Sequence, residues 1–211
     1  VRTRRYLREF RLTMPGLFNV ENALAAIAVC EGLNIPERAV YVGLMKARVP
    51  GRMEVYTNAD SHIVAIVDYA HTPDALVNVL DTIRGIVGEE GTVVTVTGAG
   101  GNRDHGKRPM MAREAATRSD LLFLTSDNPR FEEPDAIIAD MRAGLDDRQA
   151  ATATCVTDRR EAIREAIAQA RPGDVVLIAG KGHENYQEVQ GVKHHFDDRE
   201  EAVSYTHLRA H

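Results

Sequence analysis

Four short polar stretches hold the residues able to do chemistry: Asp68-Tyr69-Ala70-His71-Thr72-Pro73-Asp74, the loop from Gly98 to Arg108, Thr125-Ser126-Asp127-Asn128-Pro129-Arg130, and Gly180-Lys181-Gly182-His183-Glu184. Between them they carry two imidazoles (His71, His183), carboxylates (Asp68, Asp127, Glu184) and cations (Arg103, Arg130, Lys181). A single Asp in such a stretch is usually a helix cap or a turn residue, and Asp74, Asp158 and Asp174 are read that way. The set as a whole holds more unlike charges than capping needs, which marks it as a candidate binding site.

The glycine-rich stretch suggests one kind of ligand. Thr92 to Val96 is β-branched throughout and reads as a buried strand; Gly98, Gly100, Gly101 and Gly106 follow, and Pro109 suits the first turn of the next helix. Strand, glycine loop and helix aim backbone N–H groups at an anion. Gly101 to Arg108 has the spacing of a nucleotide-binding P-loop up to its last letter, where Arg108 stands in place of the Ser or Thr that ligates Mg²⁺. A carboxylate or phosphate site and a plain turn with a solvated basic edge both remain open for this loop.

The elements that position these stretches alternate. Strand-like runs at 53–56, 63–67, 92–96, 121–125, 152–156 and 175–179 are separated by helical patterns at 74–87, 108–118, 136–145 and 158–170. This calls for an α/β, Rossmann-like fold, a mostly parallel sheet with helices on both faces and ligands at the carboxyl ends of its strands. Residues 186–196 read as a hairpin turning at Gln190-Gly191, followed by a polar helix starting near Asp197-Asp198. Upstream, Val1 to Leu12 alternates loosely like a strand. A helix from Asn19, capped by it, closes at Gly32, and a second runs from Pro36 to before Pro50-Gly51. Two helices cannot enclose a core, so 1–49 is expected to be the end of a domain whose greater part lies elsewhere.

With 211 residues, 44% hydrophobic and 27% charged, the composition is that of an ordinary globular protein. A net charge of −5 with scattered Lys and Arg leaves no nucleic-acid footprint. No apolar run is long enough to span a membrane and no leader is evident, so a cytoplasmic protein is expected. Cys30 and Cys155 lie in apolar runs and are read as reduced core thiols, and no metal-ligand spacing is present.

Six ordered motifs carry a resemblance: GLFNVENALAA at 16–26, PGRME at 50–54, VDYAHTPDAL at 67–76, GAGGNRDHGKRP at 98–109, TSDNPR at 125–130 and AGKGHENYQ at 179–187. In this order and spacing the chain, over about residues 10 to 202, resembles the Mur ligases. The resemblance implies that 1–49 are the last helices of a truncated central ATP-binding domain and 50–203 the Rossmann-like C-terminal domain. It implies ATP-dependent addition of meso-2,6-diaminopimelate to UDP-N-acetylmuramoyl-L-alanyl-D-glutamate through an acyl phosphate, in peptidoglycan precursor synthesis by a monomer. The P-loop and most Mg²⁺ ligands would lie outside this chain, which alone would be inactive.

Residue by residue, it puts Asn19 and Asn22 near the adenine of ATP and Arg52, Asp68 and His71 at the nucleotide. Arg103, Asp127, Asn128, Pro129, Arg130, Gly180 and Glu184 fall at diaminopimelate. No catalytic residue and no metal ligand is assigned. The chemistry agrees, since a second amino-acid head needs guanidinium for its carboxylate and a carboxylate for its ammonium. Competing readings are a folylpolyglutamate synthetase-like ligase, a silent diamino-diacid-binding module and a dinucleotide-binding domain, the last lacking G-x-G-x-x-G in the first unit. Residues 204–211 resemble adaptor read-through, and His207 and His211 receive no role.

Overall fold

The computed structural model describes residues 1–57, 62–88 and 91–208 and divides into two units, Val1–Val49 and Pro50–His211. In the first unit α1 (Leu17–Gly32) and α2 (Glu37–Lys46) form the expected pair. Its start differs from expectation. Gly16, at φ 101°, is the N-cap of α1, while Asn19 lies buried one turn in, its Nδ2 donating to the Pro15 carbonyl at 2.7 Å. A left-handed backbone favours Gly at the cap, which frees Asn19 from that task. Residues 1–12 form only an isolated bridge between Arg2 and Leu7, with no strand. The buried residues of α1 are Asn19, Ala23 and Ile27, at intervals of four, and α2 adds Val40. Leu17, Val20, Leu24, Val29 and Leu33 remain exposed.

The second unit is built on a six-stranded sheet in the order β1-β2-β6-β3-β4-β5. Its strands are β1 (Glu54–Thr57), β2 (Val64–Asp68), β3 (Val93–Thr97), β4 (Leu121–Thr125), β5 (Thr154–Val156) and β6 (Val175–Ala179), with β1 antiparallel and all other pairs parallel. The helices are α3 (Pro73–Val87), α4 (Lys107–Arg118), α5 (Pro134–Arg142), α6 (Asp147–Thr152), α7 (Arg159–Gln169) and α8 (Asp198–Leu208). From β2 through β5 the chain steps in one direction and then returns to β6. Right-handed crossovers therefore place α3, α4 and α5 on one face and α7 on the other, beside α8.

Alternation assigns each strand side chain to a face. Ala65, Val67, Val94, Val96, Phe123, Val176 and Ile178 join Ile163, Ala166 and Ile167 of α7 in one core. Tyr205 of α8 also packs there, so the helix does not stop at residue 203, where the apolar spacing stops. Residues 209–211, with His211, lie outside those described, and the side chain of His207 is likewise undescribed. A short two-stranded sheet, β7 (Tyr186–Val189) with β8 (Val192–His195), is the expected hairpin.

Other boundaries shift for local reasons. The run at 152–156 is divided because Asp146 and Gln149 form a capping box that starts α6, leaving a three-residue β5. Cys155 is exposed on this edge strand and Cys30 half-buried, so neither is the core thiol expected. Asp158 does cap α7, accepting from the Arg160 and Glu161 amides. The N-cap before α3 is Thr72, which leaves Asp74 in its first turn.

Candidate active site

At the carboxyl end of the parallel strands, the loops after β2, β3, β4 and β6 line one cleft of about 370 Å³. Close backbone contact builds its walls. A Cβ on Gly101 would stand 1.9 Å from the Pro129 carbonyl oxygen, and the Gly101 amide donates to the Asn128 carbonyl at 2.9 Å. Thus the glycine loop lies flush against Asp127-Asn128-Pro129-Arg130. Likewise Gly51 and Gly182, both at positive φ, let the Pro50-Gly51-Arg52 turn, the β6 loop and Tyr69 meet at distances that exclude side chains.

Of the residues expected at diaminopimelate, Arg103, Asp127, Asn128, Arg130, Gly180 and Glu184 all line this cleft. Pro129 does not; its carbonyl instead abuts Gly101 and accepts from the Glu132 amide at 3.0 Å. The charges differ in how far the protein itself uses them. Arg103 is exposed and has no hydrogen bond or ion pair among the described residues. Arg130, at φ 53°, donates from Nη1 to the Gly101 carbonyl at 2.7 Å, and its Nε faces Glu188 at 3.6 Å. Gly100 separates the two arginines: a Cβ there would lie 3.0 Å from Arg130 Nη1 and 3.6 Å from Arg103 Cγ.

On the opposite wall Glu184 Oε2 accepts from Asn128 Nδ2 at 2.9 Å, while its Oε1 has no partner among the described residues. Lys181, read from sequence as a cation of the site, is fully buried and does not line the cleft. Its Nζ lies 3.2 Å from Asp127 Oδ1 and 3.0 Å from Asn128 Oδ1. An ammonium removed from water must be paired in this way, which the sequence position cannot reveal.

The expected nucleotide residues fall in two places. Asn19 and Asn22 belong to the first unit, where Asn22 is exposed. In the second unit, Arg52 and His71 gather on Tyr69, with Arg52 Cζ 4.8 Å from its ring centroid and the His71 ring 4.6 Å away; His183 is third at 5.4 Å. Because the Tyr69 carbonyl can only accept, the 2.8 Å contact with His71 puts a proton on Nδ1. Asp68 is buried beneath them, accepting from the Met53 amide at 2.7 Å and the Ala70 amide at 2.8 Å. Burial pushes its carboxyl above the usual range against those two donors and Arg52. It therefore braces the turn that carries Arg52 and does not line the cleft.

Tyr69 was not singled out by the sequence, and Arg108 was named there only as the residue that breaks the P-loop pattern. Tyr69 lines the cleft, its phenol held above the ordinary value by burial first and then by Glu184. Arg108 is 1% exposed and ties the glycine loop to Asp140 of α5 at 2.8 Å and to Glu132, just before that helix, at 2.9 Å. The backbone amide of Asn102 and then Arg108 hold Glu132 below the usual carboxylate range. The flanks of Tyr69, Asp68 and His71, were its only signal. Among the described residues no three His, Cys, Asp or Glu side chains are grouped to hold a metal ion.

Comparison with known proteins bears on the same loops. The family model for Mur ligase, glutamate ligase domain, matches residues 51–182. The UDP-N-acetylmuramoyl-L-alanyl-D-glutamate–2,6-diaminopimelate ligase of Bacteroides thetaiotaomicron is 53% identical over 193 residues, 91% of this chain and 40% of its own length. The ligase of the same name from Clostridioides difficile is 50% identical over 192 residues, 90% of this chain and 39% of its own. This chain therefore spans about 40% of the length of the curated relatives it matches. A solved structure of a ligase of that name is 41% identical with a TM-score of 0.71, covering 99% of this chain and 42% of that one. A folylpolyglutamate synthase from Thermotoga maritima, 20% identical with a TM-score of 0.61 over 82% of this chain and 38% of that one, shares the fold alone. Since the matched stretch takes in the loops after β2, β3 and β4 and enters the one after β6, the chain belongs to the Mur ligase family.

Proposed function

We propose that this chain is the amino-acid-binding part of a longer ATP-dependent ligase that adds meso-2,6-diaminopimelate to UDP-N-acetylmuramoyl-L-alanyl-D-glutamate. The observation that carries the reading is one cleft lined by a guanidinium, Arg103, and by a braced carboxylate, Glu184, whose Oε1, like that guanidinium, has no partner among the described residues. One amino-acid head of the ligand supplies the matching carboxylate and ammonium. Arg103 takes the carboxylate with help from Arg130, and Glu184 Oε1 accepts from the ammonium. Asp127, Asn128 and Gly180 shape the wall between them.

Attack on the acyl phosphate needs the other amino group presented uncharged and in line, so the contribution of these residues is position. ATP supplies the phosphoryl group that activates the acceptor carboxylate. Arg52 and His71, ordered by Tyr69 and Asp68, are assigned to its phosphates; the adenine assignment of Asn19 and Asn22 rests on the resemblance. Mg²⁺ is assigned to residues beyond this chain. ATP and a UDP-linked acceptor belong to the cytoplasm, where we place the enzyme; among the described residues no helix is long and apolar enough to cross a membrane.

Calorimetric titration of the chain with meso-diaminopimelate and with L-lysine tests the reading. Lysine lacks the second carboxylate, and losing a charge-assisted pair of about 2 kcal/mol or more corresponds to at least ~30-fold weaker binding. Equal affinities, or no binding of diaminopimelate, would overturn it.

A further inference from the structure

Lys181, buried behind the cleft and bonded to residues that line it, is a titratable group that the reading above leaves without a task. A lysine with no exposed surface is rare, because its ammonium loses hydration that only close partners replace. Its surroundings are specific. Nζ reaches Asp127 Oδ1 at 3.2 Å, Asn128 Oδ1 at 3.0 Å and Glu184 Oε2 at 3.6 Å, and lies 5.6 Å from the centre of the Tyr186 ring. Three N–H donors thus face three oxygens on two loops.

The consequence runs through Asn128. Its Oδ1 accepts from Lys181 and from the Glu188 amide at 3.0 Å, so the amide can be placed only one way round, with Nδ2 toward Glu184 Oε2 at 2.9 Å. Glu184 is thereby held through one oxygen, and the other is left for a ligand. Charge follows the same arrangement. Asp127 and Glu184 bring two negative charges and Lys181 one positive, which leaves one net negative charge, the complement of one ammonium. Without Lys181, Asp127 becomes an unpaired buried anion that competes with Glu184 for the Asn128 amide and for the ligand's ammonium.

We propose that Lys181 is a positioning residue for diaminopimelate: through Asn128 it sets the orientation of Glu184 and, by neutralising Asp127, leaves that single carboxylate for the ligand's ammonium. The inference rests on the site reading given above. A site residue displaced by a fraction of an ångström loses most of its worth, so the effect should be plain in affinity.

The test is a double-mutant cycle read by calorimetry with meso-diaminopimelate, using this chain as wild type, Lys181→Met, Glu184→Gln and the pair together. If Lys181 acts through Glu184, Lys181→Met weakens binding at least about tenfold in the wild type but less than about threefold once Glu184 is Gln. Equal loss in both backgrounds would show a general structural role and overturn the inference, as would no loss in either. Wild-type chain that binds no diaminopimelate would instead overturn the site reading, and the inference with it. Circular-dichroism melts accompany each variant. Should Lys181→Met not fold, the comparison becomes Asp127→Asn against Asp127→Asn with Lys181→Met, which leaves no orphan anion. The double variant should then bind at least about tenfold more weakly than Asp127→Asn alone, and equal binding would overturn the inference.

Discussion

Two arginines that look equivalent in sequence do different work in the structure. Arg130 is partly committed to the protein: it donates to the Gly101 carbonyl, faces Glu188 and exchanges backbone bonds with Glu188 and Gln190. Arg103 has no such commitments among the described residues. Substituting each with Ala should therefore separate binding from stability. Arg103→Ala is expected to weaken diaminopimelate binding by at least about 30-fold while shifting folding free energy by less than about 0.5 kcal/mol. Arg130→Ala should weaken binding and also cost about 1 to 2 kcal/mol of stability, since a buried carbonyl loses its donor and the glycine loop its brace. Urea melts with calorimetry on the same samples check both; a destabilised Arg103→Ala, or one that binds normally, would refute the division.

At the scale of elements, two loops of the cleft are braced from behind by a buried ion pair. Arg159, at the start of α7, meets Asp198 of α8 through two bonds of 2.8 and 2.7 Å, both side chains having no exposed surface. The same guanidinium donates to the carbonyl of Ala179 at 3.0 Å and reaches that of Ser126 at 3.5 Å, the residues just before Gly180 and Asp127. Helix packing on one face of the sheet is thereby coupled to two loops of the site. Asp198→Ala would leave a buried guanidinium uncompensated and is expected to destabilise the fold by about 3 to 5 kcal/mol. Thermal or denaturant unfolding measures this, and a loss below about 1 kcal/mol would show that water or a neighbour replaces the carboxylate. Sequence showed α7 and the polar start of α8, because caps and periodicity are local. It could not show that Arg159 and Asp198, 39 residues apart, were partners.

For the molecule as a whole, the division after Val49 separates a unit with many exposed apolar residues from one with its own layered core. Leu17, Val20, Leu24, Val29 and Leu33 of α1 and its C-cap are all exposed, as the isolated helix pair implied. Residues 50–211 alone should consequently fold, melt in one transition and be more soluble than the full chain. Sedimentation and calorimetric melting of the truncated chain decide this; aggregation on truncation would mean that the first unit shields the second.

The sequence by itself determined the alternation of strands and helices, the parallel sheet, the four loops at its carboxyl edge and the family motifs they carry. These rest on relations between near neighbours: β-branched runs, apolar spacing, glycines where a turn needs them, and caps such as Asp158. Tertiary structure alone decided which charges are free. Lys181 is paired across 54 residues and Glu184 across 56, whereas Arg103 in its exposed loop has no hydrogen bond or ion pair among the described residues. Charge is a property of the residue type, but its availability depends on burial and on partners that the fold brings within about 3 Å, and spacing along the chain carries no record of those distances.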